Sequence, residues 1–149
     1  MGHPLRLAAF GILILTLVSI ASSSATAQNT DLFLTNYIKA LNASMPPDGD
    51  PAVIANMFLE DGIHKDVNLT TQTGREQIQQ FFAGFKNRFG DWTHVEKMRF
   101  VQGNHAVWEG TAEGPDKTGK NLKFPLVFSL DFNDQGKVLE ARVYARRPD

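Results

Sequence analysis

Apolar positions recur at helical spacing through the first half of the chain and alternate with polar ones through the second. Behind Thr30, a residue suited to capping, Leu32, Leu34, Tyr37, Ile38 and Leu41 fall broadly on one helical face, which turns Tyr37 inward. Ser44-Met-Pro-Pro-Asp-Gly-Asp50 interrupts that helix. Asp50 and Pro51 then supply an N-cap acid and a first-turn proline for a second helix, with Val53, Ile54, Met57 and Phe58 as its buried stripe and Gly62 as its stop. Thr73-Gly-Arg-Glu76 has the form of a capping box and opens a third helix carrying Ile78, Phe81, Phe82, Phe85 and Phe89. Such an aromatic stripe serves as core, and lines a cavity as well if the helix covers a concave sheet.

From Trp92 the period becomes two. Phe124, Leu126, Phe128, Leu130 and Phe132 alternate with Lys123, Pro125, Val127, Ser129 and Asp131, a strand with one strongly apolar face. Gly103-Asn104 suits a two-residue hairpin turn, which places Met98 opposite Glu109 and Phe100 opposite Val107 and turns Glu109 inward with them. A slip of one residue would bring Trp108 inward instead. Residues 132–138 form a second turn, leading to a last strand in which Ala141, Val143 and Ala145 face inward and Arg142, Tyr144 and Arg146 outward. Helices first and strands after predict an α+β domain, with about three N-terminal helices packed on a curved antiparallel sheet.

The first 27 residues form a separate segment. A weakly basic start to Arg6, an apolar run over 7–20 and the small residues ending in Ala25-Thr26-Ala27 predict a cleavable signal peptide, so that a mature domain begins at Gln28 and runs to Asp149. The alternative, an uncleaved anchor, meets an apolar run shorter than the ~20 residues a bilayer requires. Export to the periplasm or beyond agrees with the absence of cysteine, which also excludes disulfides, thiol catalysis and thiolate metal sites. Asn42-Ala-Ser44 and Asn68-Leu-Thr70 match the glycosylation acceptor pattern. The formal net charge of −1 becomes −2 when the leader takes Arg6 away, a balance that gives no electrostatic case for nucleic acid or, after cleavage, for a membrane. Function is therefore expected in a pocket.

Met57-Phe-Leu-Glu-Asp-Gly-Ile-His-Lys-Asp66, the Thr-Gly-Arg-Glu helix start, the long hairpin and the closing Phe-Asn-x-x-Gly-Lys-Val together resemble the nuclear transport factor two superfamily, on its SnoaL-like and ketosteroid isomerase-like branch. The resemblance spans about the whole mature chain and implies a cone-shaped fold with a strongly curved sheet. It places Asp66 where the isomerases carry their general base and Tyr37 where they carry an oxyanion-hole tyrosine. Phe128 lies near the position of their second, acidic oxyanion donor.

The residues themselves offer the same chemistry. On a short strand over 63–67, His64 and Asp66 share a face, and a carboxylate against an apolar wall becomes a better base. The candidate catalytic set is Asp66, Tyr37, His64 and Glu109. The candidate pocket wall is Phe58, Phe81, Phe82 and Phe85 from the helical half, with Met98, Phe100, Phe128 and Val143 from the strands. His94 and Glu96 share a face, but His-x-Glu is a weak metal pattern, and neither a metal nor another cofactor is expected. Expected partners are a small apolar molecule and a second copy of the chain, the latter through an outer sheet face bearing Lys97, Arg99, Val101, Trp108 and Tyr144. An acid-base isomerase, cyclase or hydratase and a non-catalytic binding module both fit this reading.

Overall fold

A computed structural model describes residues 27–67, 69–89 and 91–146. The leader up to residue 26 and Asn68 lie outside them. Helix α1 spans 27–44, α2 Pro51–Ala55 and α3 Arg75–Phe89. The strands are β1 Phe58–Asp66, β2 Thr71–Thr73, β3 Thr93–Gln102, β4 His105–Pro115, β5 Asn121–Phe132 and β6 Val138–Ala145. They form one sheet in the order β2-β1-β6-β5-β4-β3.

Helix α1 is already under way at residue 27, so Thr30 is not its cap. Thr30 is buried, and its hydroxyl donates to the Gly103 carbonyl at 2.8 Å, tying the helix to the β3–β4 turn. Leu34, Tyr37, Ile38 and Leu41 are buried as their spacing requires, whereas Leu32 is exposed and Phe33 packs inward on Phe132. Asp50 caps α2 by accepting from the Ala52 N–H at 2.8 Å, with Pro51 in the first turn. This helix lasts only five residues: Val53 is exposed, and Phe58 is the first residue of β1 rather than the end of a helical stripe. Gly62 lies inside β1, where the register shifts between Phe58 and Ile63 and an added Cβ would stand 3.0 Å from the Val138 carbonyl oxygen. At the start of α3, Gln77, one residue beyond the expected Glu76, reaches back to the Thr73 N–H at 3.1 Å.

The sheet is mixed, not wholly antiparallel. β6 takes its direction from its hairpin with β5, and β1 its own from β2, and where the two meet they run parallel. The Gly103-Asn104 turn has the expected two residues, with Gly103 at φ 57° and Gln102 paired with His105. Met98 pairs with Glu109 and Phe100 with Val107, also as expected.

The face those residues take is the opposite of the expected one. The register of β3 shifts between Glu96 and Met98, leaving Lys97 as a bulge that inverts the alternation of side chains. His94 is buried before the bulge. After it Met98 and Phe100 stand 53% and 58% exposed on the outer face, and Glu109 beside them pairs with Lys97 at 2.6 Å. Trp108 is consequently buried on the inner face, with its Nε1 donating to Glu96 at 2.9 Å, and cannot belong to an outer docking surface. Gly110 makes room for that indole, since a Cβ there would meet the Val95 carbonyl oxygen at 2.2 Å and Trp108 Cη2 at 2.3 Å. Arg99, opposite Trp108, reaches Asp31 on α1 at 3.1 Å and fastens the edge strand to the helix.

Candidate functional site

Between α1, α3 and the inner face of the sheet lies a cavity of about 310 Å³. Its wall is largely hydrocarbon and aromatic. Phe81, Phe82 and Phe85 come from α3, Phe128 from β5 and Val143 from β6, all five as read from the sequence. Phe58 is fully buried behind this wall, and Met98 and Phe100 lie on the far side of the sheet, so these three do not line it. Phe89, Trp92 and Phe124 extend the aromatic wall, with Trp92 stacked on Phe124 at 4.8 Å between ring centres. The spacing of α3 marked Phe89 as inward, but nothing in the alternation announced Trp92, which precedes β3 and is held by its Nε1 donating to the Pro115 carbonyl at 3.0 Å.

The polar and charged members of the lining are Asp66, His64, His94 and Arg88. Asp66 and His64 stand two apart on β1 and share the inner face. The Asp66 backbone also makes the turn that follows: its N–H donates to the Thr70 carbonyl, and its carbonyl accepts from the Leu69 N–H, both at 3.1 Å. Asp66 thus closes the strand and lines the cavity at once. The His64 ring is wedged between Phe81 at 4.8 Å and Phe82 at 5.1 Å, and Nδ1 lies 2.9 Å from Gln72 Oε1. Gln72 in turn donates to the Thr70 hydroxyl. Burial pushes the His64 pKa below its ordinary value, while the Gln72 bond and the negative charge of Asp66 act in the opposite sense.

His94 was read only as half of a weak metal pattern. The structure buries it in the cavity wall, 6.0 Å from Phe128 and 6.4 Å from Trp108 between ring centres. Burial alone pushes its pKa down to about 4. Its inward parity was legible only with the bulge at Lys97 known. Among the described residues no three His, Asp or Glu side chains gather as a metal would require. Arg88, in the last turn of α3, is the cation of the lining, with its guanidinium 5.2 Å from the centre of the Phe89 ring.

Tyr37 points inward, as expected, but its phenol does not open on the cavity. The ring is packed edge-on to Phe58 at 6.1 Å and Phe128 at 6.0 Å. Its hydroxyl is the one side-chain nitrogen or oxygen among the described residues that is sealed from solvent without a hydrogen-bond partner, and burial raises its pKa. Glu109 is on the outer face. Of the four candidate catalytic residues, the fold brings Asp66 and His64 together and leaves Tyr37 and Glu109 apart from them.

A family model described as the SnoaL-like domain matches residues 34–141. No curated protein matches the chain. Solved structures are similar in fold. A SnoaL-like polyketide cyclase from Jannaschia sp. CCS1 is 18% identical with a TM-score of 0.69, over 80% of this chain and 87% of its own. The epoxide hydrolase/cyclase-like enzyme of pyran ring formation in polyether salinomycin is 19% identical with a TM-score of 0.68, over 80% and 92%. A protein of ketosteroid isomerase-like fold from Catenulispora acidiphila, in complex with trimethylamine, is 21% identical with a TM-score of 0.65, over 72% and 83%.

Proposed function

Because the chain belongs to the SnoaL-like domain family, within the nuclear transport factor two-like superfamily, we propose that it is an exported pocket protein that binds a small, largely apolar molecule within a cone-shaped wall and moves a proton on it. Asp66 is the general base of that reading, and isomerisation, cyclisation and hydration are the reaction classes. The observation that carries it is the pairing of Asp66 with His64 at the edge of a cavity whose other walls are almost entirely apolar. A carboxylate that faces hydrocarbon is less well solvated than one in water, so it holds a proton taken from carbon more readily. A neutral His64 beside it offers a second site for that proton or for the substrate's hydroxyl. The leader supports export, with a mature chain beginning at Gln28.

One observation favours a second reading, a binding module without chemistry. The sealed Tyr37 phenol and the outward Glu109 leave the cavity without the neutral oxyanion donor an isomerase of the ketosteroid type requires. Asp66→Asn decides between the two. An enzyme loses roughly 10²-fold or more of its turnover on a panel of enolisable ketones and epoxides, with its melting temperature little changed. If no member of the panel turns over in wild type and Asp66→Asn shifts only the melt, the binding reading replaces the catalytic one.

A further inference from the structure

His94 is held by its own backbone through Asn42 on α1. The Asn42 side-chain oxygen accepts from the His94 backbone N–H at 2.8 Å, and its amide nitrogen donates to the His94 carbonyl at 3.3 Å. These two bonds fix which end of the amide is oxygen. That oxygen also lies 2.9 Å from His94 Nδ1, so Nδ1 must be the nitrogen that carries the proton. A neutral ring has only one such proton, and the depressed pKa keeps it neutral at ordinary pH. Nε2 is left as a bare lone pair.

That lone pair has no protein donor, yet it is not sealed in the way the Tyr37 hydroxyl is. Since His94 lines the cavity, Nε2 is presented to whatever occupies it. Three strands, β4, β5 and β6, separate His94 on β3 from His64 and Asp66 on β1. The cavity thus carries an acceptor on a wall remote from the Asp66 pair, with apolar residues between. Leaving such an acceptor dry and unpaired is unfavourable, so an occupant with a hydrogen-bond donor at that point is preferred over one without.

We propose that His94 is a specificity-determining hydrogen-bond acceptor, and that the cavity selects ring compounds bearing a hydroxyl group directed at its Nε2 over hydrocarbons, ethers and simple ketones of the same shape. This rests on the reading of the cavity as a small-molecule site and holds whether or not Asp66 performs chemistry.

The test uses 2-naphthol, 2-methoxynaphthalene and naphthalene as probes. Binding to the full mature chain is followed by quenching of Trp92, which lines the cavity. Wild type should bind 2-naphthol about tenfold more tightly than either other probe, the scale of one neutral hydrogen bond. In His94→Phe the preference should fall below about threefold while naphthalene binding is kept. Independently of any variant, the nitrogen-15 resonance of His94 Nε2 in wild type should move towards the hydrogen-bonded range with 2-naphthol and stay in place with 2-methoxynaphthalene, so a variant that fails to fold does not remove the test. Equal binding of the three probes, a preference that survives in His94→Phe, or an unmoved Nε2 resonance each overturns the assignment of His94 and leaves the cavity reading intact. Failure of all three to bind overturns both.

Discussion

Acidification from pH 8 to pH 5 should destabilise the fold through its two buried imidazoles. In the unfolded chain His94 titrates near 6.5 and in the folded one near 4. Between those values the unfolded state takes up a proton that the folded state refuses, so stability falls as the pH falls and is complete above the unfolded value. For His94 alone the loss at pH 5 is about 2 kcal/mol, from the two pKa values and RT. His64, also held below its ordinary value by burial, adds to it in the same direction. Carboxylates held low by neighbouring cations, such as Glu140 beside Lys65, lose their contribution only below about pH 4.5 and stay out of this interval. Against a total of about 5–15 kcal/mol for a domain, the effect is large. Urea unfolding at pH 8, 7, 6 and 5 measures it, and with a slope of about 1–3 kcal/mol per molar the midpoint should drop by roughly 1 M. His94→Phe should show a clearly shallower dependence, whatever its own stability. A midpoint constant from pH 8 to pH 5, or a dependence unaltered in His94→Phe, would refute the argument that these rings are held dry and neutral.

Three other outcomes follow from the geometry. Tyr37→Phe removes a sealed and unpartnered hydroxyl, so it should raise stability by about 1 kcal/mol and leave turnover within threefold; a hundredfold loss of turnover would instead put the phenol in the chemistry. Gly110→Ala drives a methyl into the Val95 carbonyl and the Trp108 indole and should destabilise by about 3 kcal/mol or more, so a melt close to wild type would show that the two strands yield there. Dimerisation, if it uses the outer face, must use Met98, Phe100 and Tyr144 instead of Trp108, and Phe100→Glu should convert a dimer to a monomer by light scattering at micromolar concentration.

The parts of this fold legible in the sequence are those in which one local rule acts alone. The unbroken alternation from Phe124 to Phe132 gave a strand and its buried face correctly, and Gly103-Asn104 gave both the turn and its register. Where two patterns overlap, spacing misleads: Met57 and Phe58 continue the stripe of Ile54 at helical intervals, although the chain has already left the helix. The larger failure comes from a single residue. No local signal distinguishes Lys97 as a bulge, and every inward assignment downstream of it on β3, together with Glu109 across the turn, inverts with it. Asp66 and His64 escaped because their strand was read from its own short segment. His94 lies on the side of the bulge that alternation would have placed correctly, had Met98 and Phe100 not been taken as the reference for that face.

The order of strands in space has a consequence for how the molecule comes into being. β6, last in the chain, lies between β1 and β5 and is the strand that joins them. A nascent chain ending before Val138 holds two half-sheets, β2-β1 and β5-β4-β3, with no shared edge, and Asp66 and His94 sit on different halves. The cavity has no partially built form in which both can hold one molecule. Occupancy of the site therefore reports that synthesis has reached the final strand, and a ligand added during refolding should speed none of the earlier steps.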